Sequence, residues 1–148
     1  MPPESAAPQT VLLIDDETNS RKLAKLLLER EGYRVLTAAN GEEGLLLAKV
    51  ERPDVILLDI MMPKMNGHEA LRRLKDDPDT TRTPVIMLTA KTADQDIASS
   101  FRLGAVFHME KPYETVDLLQ KIKMAIVLAA GADGTPVNGR QVPPEMTA

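Results

Sequence analysis

The sequence predicts an α/β protein built as an open, doubly wound, five-stranded parallel sheet with helices on both faces. Two observations carry this. Five short apolar runs alternate with five stretches that repeat apolar residues at helical spacing, and the last element is a helix. Runs such as Val55-Ile56-Leu57-Leu58 are apolar without alternation, which is how strands buried on both faces of a parallel sheet read. The alternating order requires right-handed crossovers, and five units are too few to close an eight-unit barrel.

The elements follow in order. Residues Met1 to Gln9 contain three prolines among small residues and read as a disordered lead-in, 1–9. The folded domain spans 10–130. Val11-Leu12-Leu13-Ile14 is the first strand and ends in Asp15-Asp16. Thr18 is the expected N-cap of a helix over Asn19 to Glu31, with Leu23, Leu26, Leu27 and Arg30 at helical spacing and Gly32 closing it. Tyr33 to Thr37 is the second strand. Asn40-Gly41 then turns into a helix with Leu45, Leu46 and Ala48 as its apolar stripe. Val55 to Asp59 is the third strand. A helix carrying Ala70, Leu71 and Leu74 starts after Asn66-Gly67 and stops near Pro78. Pro84 to Leu88 is the fourth strand, ending in Thr89-Ala90, and Asp94 to Leu103 is a helix closed by Gly104. Ala105 to Met109 is the fifth strand, ending at Glu110-Lys111-Pro112. The last helix, from Glu114 to about Ala130, carries Leu118, Leu119, Ile122 and Ile126 on one face. Gly131 to Ala148 is rich in Gly and Pro and reads as a disordered tail or linker stub, 131–148.

Composition narrows the function. A chain of 148 residues with 43% hydrophobic content supports one domain with a real core. A net charge of -4 supplies no basic surface for nucleic acid. With no cysteine, disulfides, thiolate nucleophiles and Cys-ligated zinc are excluded, which fits a reducing compartment. The start lacks a basic stretch followed by an apolar core, and no apolar run approaches the roughly 20 residues of a membrane span, so a cytoplasmic protein is expected.

The chemistry-bearing residues share one address. Asp15-Asp16, Asp59, Thr89 and Lys111 stand at or just beyond the ends of the first, third, fourth and fifth strands, and in a parallel sheet those ends form one edge, outside which ligands bind. Carboxylates brought together there repel by about 4 kcal/mol per close pair at an effective dielectric near 20. They need a cation, and an all-oxygen site with one lysine suits Mg²⁺. Such an ion also neutralises charge on a phosphoryl group, for which an Asp carboxylate is a competent covalent acceptor.

These residues resemble the receiver domain of two-component response regulators. The resemblance rests on Asp15-Asp16, the segment Leu58-Asp59-Ile60-Met61-Met62-Pro63-Lys64-Met65-Asn66-Gly67, Leu88-Thr89-Ala90 and Lys111-Pro112, and covers roughly Thr10 to Ala130. It implies a flavodoxin-like receiver fold and a phosphoacceptor switch, in which Asp59 takes a phosphoryl group from a histidine kinase or phosphotransfer protein. Asp16, Asp59 and the Met61 carbonyl would ligate Mg²⁺ or Mn²⁺, with Asp15 helping to hold the ion through water. Thr89 would hydrogen-bond the phosphoryl group, Lys111 would pair with one of its oxygens, and the Lys111-Pro112 bond would be cis. Catalysis would be limited to the protein's own phosphorylation and dephosphorylation.

Where the family usually carries Tyr or Phe, three residues before the lysine, this chain has His108. Two readings stand: an edge residue without a switching role, or an imidazole gate that makes the output surface sensitive to pH near neutrality. Phe107 is expected to face the opposite side. Met61 and Lys91, two residues beyond Asp59 and Thr89, are expected to hinder water and lengthen the life of the phosphoryl group. His68 reads as a surface residue. Val127 and Leu128 are left over for a partner, a second copy in a phosphorylation-dependent homodimer, or the tail. Three alternatives compete. An Asp-nucleophile phosphatase of the haloacid-dehalogenase type wants a carboxylate where Met61 stands. A flavodoxin-type flavin carrier wants a hydroxyl-rich phosphate loop where Asp15-Asp16 stands. A receiver-like module that binds partners without phosphorylation has no use for an intact site.

Overall fold

The computed structural model describes residues 7–89 and 94–132. Its elements are β1 (Thr10–Ile14), α1 (Thr18–Arg30), β2 (Arg34–Ala38), α2 (Gly41–Glu51), β3 (Val55–Asp59), α3 (Gly67–Asp76), β4 (Val85–Thr89), α4 (Asp94–Arg102), β5 (Phe107–Glu110) and α5 (Thr115–Ala132). All five strands are parallel, in the order β2-β1-β3-β4-β5. The expected fold class is therefore observed, and element boundaries differ from expectation by one or two residues. The expected lead-in and tail fall largely outside the described residues, although α5 continues through Gly131 and Ala132. No helix among the described residues is long and apolar enough to cross a membrane.

Every residue of β1, β3 and β4 is buried, and this accounts for their continuous apolar runs. Alternate side chains feed two cores. Leu12, Ile14, Leu58 and Met87 meet Ala48 of α2 and Leu71 and Leu74 of α3 on one face. Val11, Leu13, Leu57 and Ile86 meet Ala24 and Leu28 of α1 and Leu118 and Ile122 of α5 on the other.

Two helix faces differ from the sequence expectation. In α1, Leu23 and Leu26 are 58% and 55% exposed, and the contact with the sheet is made by Ala24 and Leu28. In α2, Leu46 is 63% exposed while Gly41, Gly44 and Ala48 are buried. The reason is close approach: a Cβ at Gly44 would run into the Ile14 side chain, so this helix packs through its backbone and small residues. The cap of α1 also differs. Glu17 occupies the cap position without a side-chain cap bond, and its own N–H donates to Asp15 Oδ1 at 2.9 Å. Asn40 and Asn66 cap α2 and α3 by accepting from the N–H groups of Glu43 and Glu69. Gly32 and Gly104 close α1 and α4 with φ of 93° and 108°, as expected of C′ glycines.

Gly67 has a more specific task. Its N–H donates to the Ile60 carbonyl at 2.9 Å, and a Cβ there would collide with the backbone of Asp59 and Ile60. Backbone cannot swing aside as a side-chain tip can. Gly67→Ala is therefore expected to cost about 3 kcal/mol, at the upper end of ordinary overpacking, measured as a fall in the urea midpoint. A cost no greater than that of Gly32→Ala would show that the loop gives way.

Candidate functional site

The order β2-β1-β3 places a topological switch point between β1 and β3, where opposite crossovers leave a crevice at the carboxyl edge. Asp15 and Asp16 follow β1 there, and Asp59 ends β3. One oxygen from each of the three carboxylates can be chosen so that all lie within 4.8 Å of one another. Asp15 and Asp59 are buried, at 1% and 6% exposure, while Asp16 is exposed. Thr89, buried at the end of β4, accepts at its carbonyl from the Lys111 N–H at 2.6 Å. The Lys111-Pro112 peptide is cis, as expected.

Lys111 joins the acids. Its Nζ lies 2.7 Å from Asp15 Oδ2 and 3.3 Å from Asp59 Oδ2. The remaining oxygens face loop amides: Asp15 Oδ1 accepts from Glu17 N–H, and Asp59 Oδ1 accepts from Met61 N–H at 3.0 Å. Burial, with repulsion from Asp15, raises the Asp59 carboxyl from its ordinary 3.8 to about 6, against the opposing pull of Lys111 and the Met61 amide. Burial alone would lower Lys111, but the Asp15 and Asp59 carboxylates outweigh it and hold the ammonium above its usual range.

These donors fit a small hard divalent ion. They are all oxygen, the three acids outnumber the one lysine, and exposure of Asp16 leaves room for the waters that Mg²⁺ retains.

The other expected positions are distributed as follows. The Met61 side chain is 68% exposed at the rim of the site. Lys91 and Ala90 lie outside the described residues. His108 is half-buried on edge strand β5, in register with Met87, and borders a groove with Tyr113, Val116 and Gln120. Phe107 faces the opposite core, where Lys121 Nζ lies 5.5 Å from its ring centroid. His68 is not the surface residue its sequence context indicates. It is half-buried, with Nε2 3.0 Å from the hydroxyl of fully buried Ser100, and so links α3 to α4. Sequence reasoning also passed over Arg21, whose guanidinium donates to the Asp15 carbonyl at 2.7 Å. A cation six residues after an acid is too common a pattern to have marked it.

A parallel sheet in this order, with an acidic cluster and a lysine at its carboxyl edge, defines the receiver-type α/β class. Comparison with known proteins agrees. The family model described as the response regulator receiver domain matches residues 11–123. Protein PilH of Pseudomonas aeruginosa is 38% identical over 116 residues, covering 78% of this chain and 96% of that protein. The alkaline phosphatase synthesis transcriptional regulatory protein PhoP of Bacillus subtilis is 39% identical over 113 residues, 76% of this chain but only 46% of that one. The chain thus spans nearly all of PilH and less than half of PhoP. Among solved structures, the chemotaxis protein CheY4 of Vibrio cholerae matches with a TM-score of 0.77 and 33% identity, covering 80% of this chain and 99% of that one. The receiver domain of sensor histidine kinase PA1611 of P. aeruginosa, described with a magnesium ion in its active-site cleft, matches at 0.75 and 28% identity, covering 81% and 98%. The chain belongs to the response regulator receiver domain family of two-component signalling. Proteins of this family are signalling proteins rather than conventional enzymes, and their receiver domains are phosphorylated by histidine kinases.

Proposed function

We propose that this protein is a phosphoacceptor switch in which Asp59 receives a phosphoryl group from a histidine kinase or phosphotransfer protein. The observation that carries the reading is the juxtaposition of the three carboxylates with Lys111 bridging two of them. A carboxylate oxygen of Asp59 attacks phosphorus, the bond from phosphorus to the donor imidazole nitrogen breaks, and an aspartyl phosphate forms. Asp15, Asp16, Asp59 and the Met61 carbonyl would hold Mg²⁺, as the ion described for the PA1611 receiver suggests. Bound there, the ion supplies neutralisation of the phosphoryl oxygens. Lys111 leaves its pairing with Asp59 Oδ2 to meet a phosphoryl oxygen, and Thr89 donates its hydroxyl to another.

His108, which borders the β5 groove, relays the change to the outer surface, where a partner reads it. This role predicts that phosphorylation-induced NMR shifts in β5 vary between about pH 6 and about pH 8, and that His108→Leu removes the variation. Met61 and Lys91 shield the aspartyl phosphate from water. Faster dephosphorylation of Met61→Asn and Lys91→Ala checks this, and unchanged rates would refute it.

The decisive experiment is intact-mass measurement after incubation with Mg²⁺ and acetyl phosphate. A phosphoryl adduct is expected on the wild type and none on Asp59→Asn. Absence of the adduct from the wild type would favour a receiver-like module that binds partners without phosphorylation.

A further inference from the structure

Asp15 is held at each of its polar ends. Its N–H donates to the Ala38 carbonyl at 3.0 Å, its two carboxylate oxygens accept from Glu17 N–H and Lys111 Nζ, and its carbonyl accepts from Arg21 Nη1 at 2.7 Å. Asp16, the next residue, is exposed, so its placement depends on the backbone either side of it. The Arg21 side chain holds the first of these, and the first turn of α1 holds the second. The guanidinium grips the carbonyl before Asp16, while the carbonyl of Glu17 after it accepts at 3.1 Å from the Arg21 main-chain N–H, the first-turn helix bond that any residue but proline makes. Arg21 Nη2 lies 3.3 Å from Thr18 Oγ1, which steadies the guanidinium. Arg21 reaches Asp15 through its main-chain carbonyl, and among the described residues it forms no ion pair with Asp15, Asp16 or Asp59.

We infer that Arg21 is a positioning residue for the metal-binding acidic pair, its side chain fixing the carbonyl that precedes Asp16 against the first turn of α1. The inference rests on the metal reading above and adds to it a residue that touches neither ion nor phosphoryl group. Two physical effects of Arg21 have opposite sign. As a nearby positive charge it opposes binding of a divalent cation, so electrostatics alone makes removal of Arg21 tighten binding. As a clamp on ligand geometry its removal loosens binding, as loss of outer support around metal ligands does by about tenfold or more. The direction of the change decides between them.

The test is titration of the whole chain with Mn²⁺, counting the free ion by electron paramagnetic resonance, for wild type, Asp16→Asn, Arg21→Ala and Arg21→Lys. Arg21→Met, which keeps the apolar stem, replaces Arg21→Ala if that variant does not fold. Expected are a Kd raised about tenfold in Arg21→Ala, partial rescue in Arg21→Lys through its remaining donor, and little further loss when Arg21→Ala is added to Asp16→Asn. Weakening by Asp16→Asn with unchanged or tighter binding by Arg21→Ala overturns the role of Arg21 while leaving the metal site standing. No Mn²⁺ binding by the wild type, or no effect of Asp16→Asn, overturns the metal reading and this inference with it.

Discussion

In the absence of divalent metal, Asp59→Asn is expected to be more stable than the wild type above about pH 6, by about 2 to 3 kcal/mol. The figure follows from the rise of the Asp59 carboxyl from 3.8 to about 6, at about 1.4 kcal/mol per unit. The sign is that of a raised acid: between those values the folded state binds more protons than the unfolded chain, so stability falls as pH rises through the window. Below about pH 4 both states are protonated and the acid costs nothing. Asn stays neutral throughout, can still accept from the Met61 amide, and escapes the loss. Urea denaturation in EDTA from about pH 4 to about pH 8 should show the two curves separating between about pH 4 and about pH 6, then running parallel. Added Mg²⁺ should raise the wild type more than Asp59→Asn, which keeps only two of the three acids. Curves that never separate would mean that the ionised Asp59 carries no penalty in the fold.

Lys111→Met is expected to act in the opposite direction. It leaves Asp15 and Asp59, both nearly inaccessible, without the ammonium that bridges them. Removing one partner from buried charge costs about 3 kcal/mol or more at neutral pH. The raised ammonium itself contributes stability that is fully present below 10.5 and is lost only as pH rises through its still higher folded value. Any dependence near neutrality therefore comes from the acids. Because Lys111 pulls the Asp59 carboxyl down, the variant should lose stability over a window displaced above that of the wild type. Adding Asp59→Asn should restore part of the loss, as should Mg²⁺. A Lys111→Met protein as stable as wild type at about pH 8 without metal would show that the two ion pairs contribute nothing to the fold.

The strands were legible because burial on both faces leaves an apolar run that needs no neighbour to interpret. The acids, Thr89 and Lys111 were legible because parallel strands end at a common edge, so position in a run already specifies position in space. Helix faces were harder. Ala24, Gly44 and Ala48 make the close contacts, and small side chains give a weak periodic signal beside Leu23, Leu26 and Leu46, which stand in solvent. Two cross-element bonds carried no local pattern at all: His68 to Ser100 spans 32 residues, and the bond from Arg21 ends on a backbone carbonyl, which every residue has.

The pairing of Lys111 with Asp15 crosses 96 residues of chain. The lysine reaches it from the end of β5, which pairs with β4 and whose Lys111 amide is donated to Thr89. During synthesis, a chain that has emerged only as far as β4 carries the three acids but not yet the lysine that bridges two of them. The bridged acid cluster is thus complete only where the last strand is in place, so the order of the sheet and the order of its charges are one and the same.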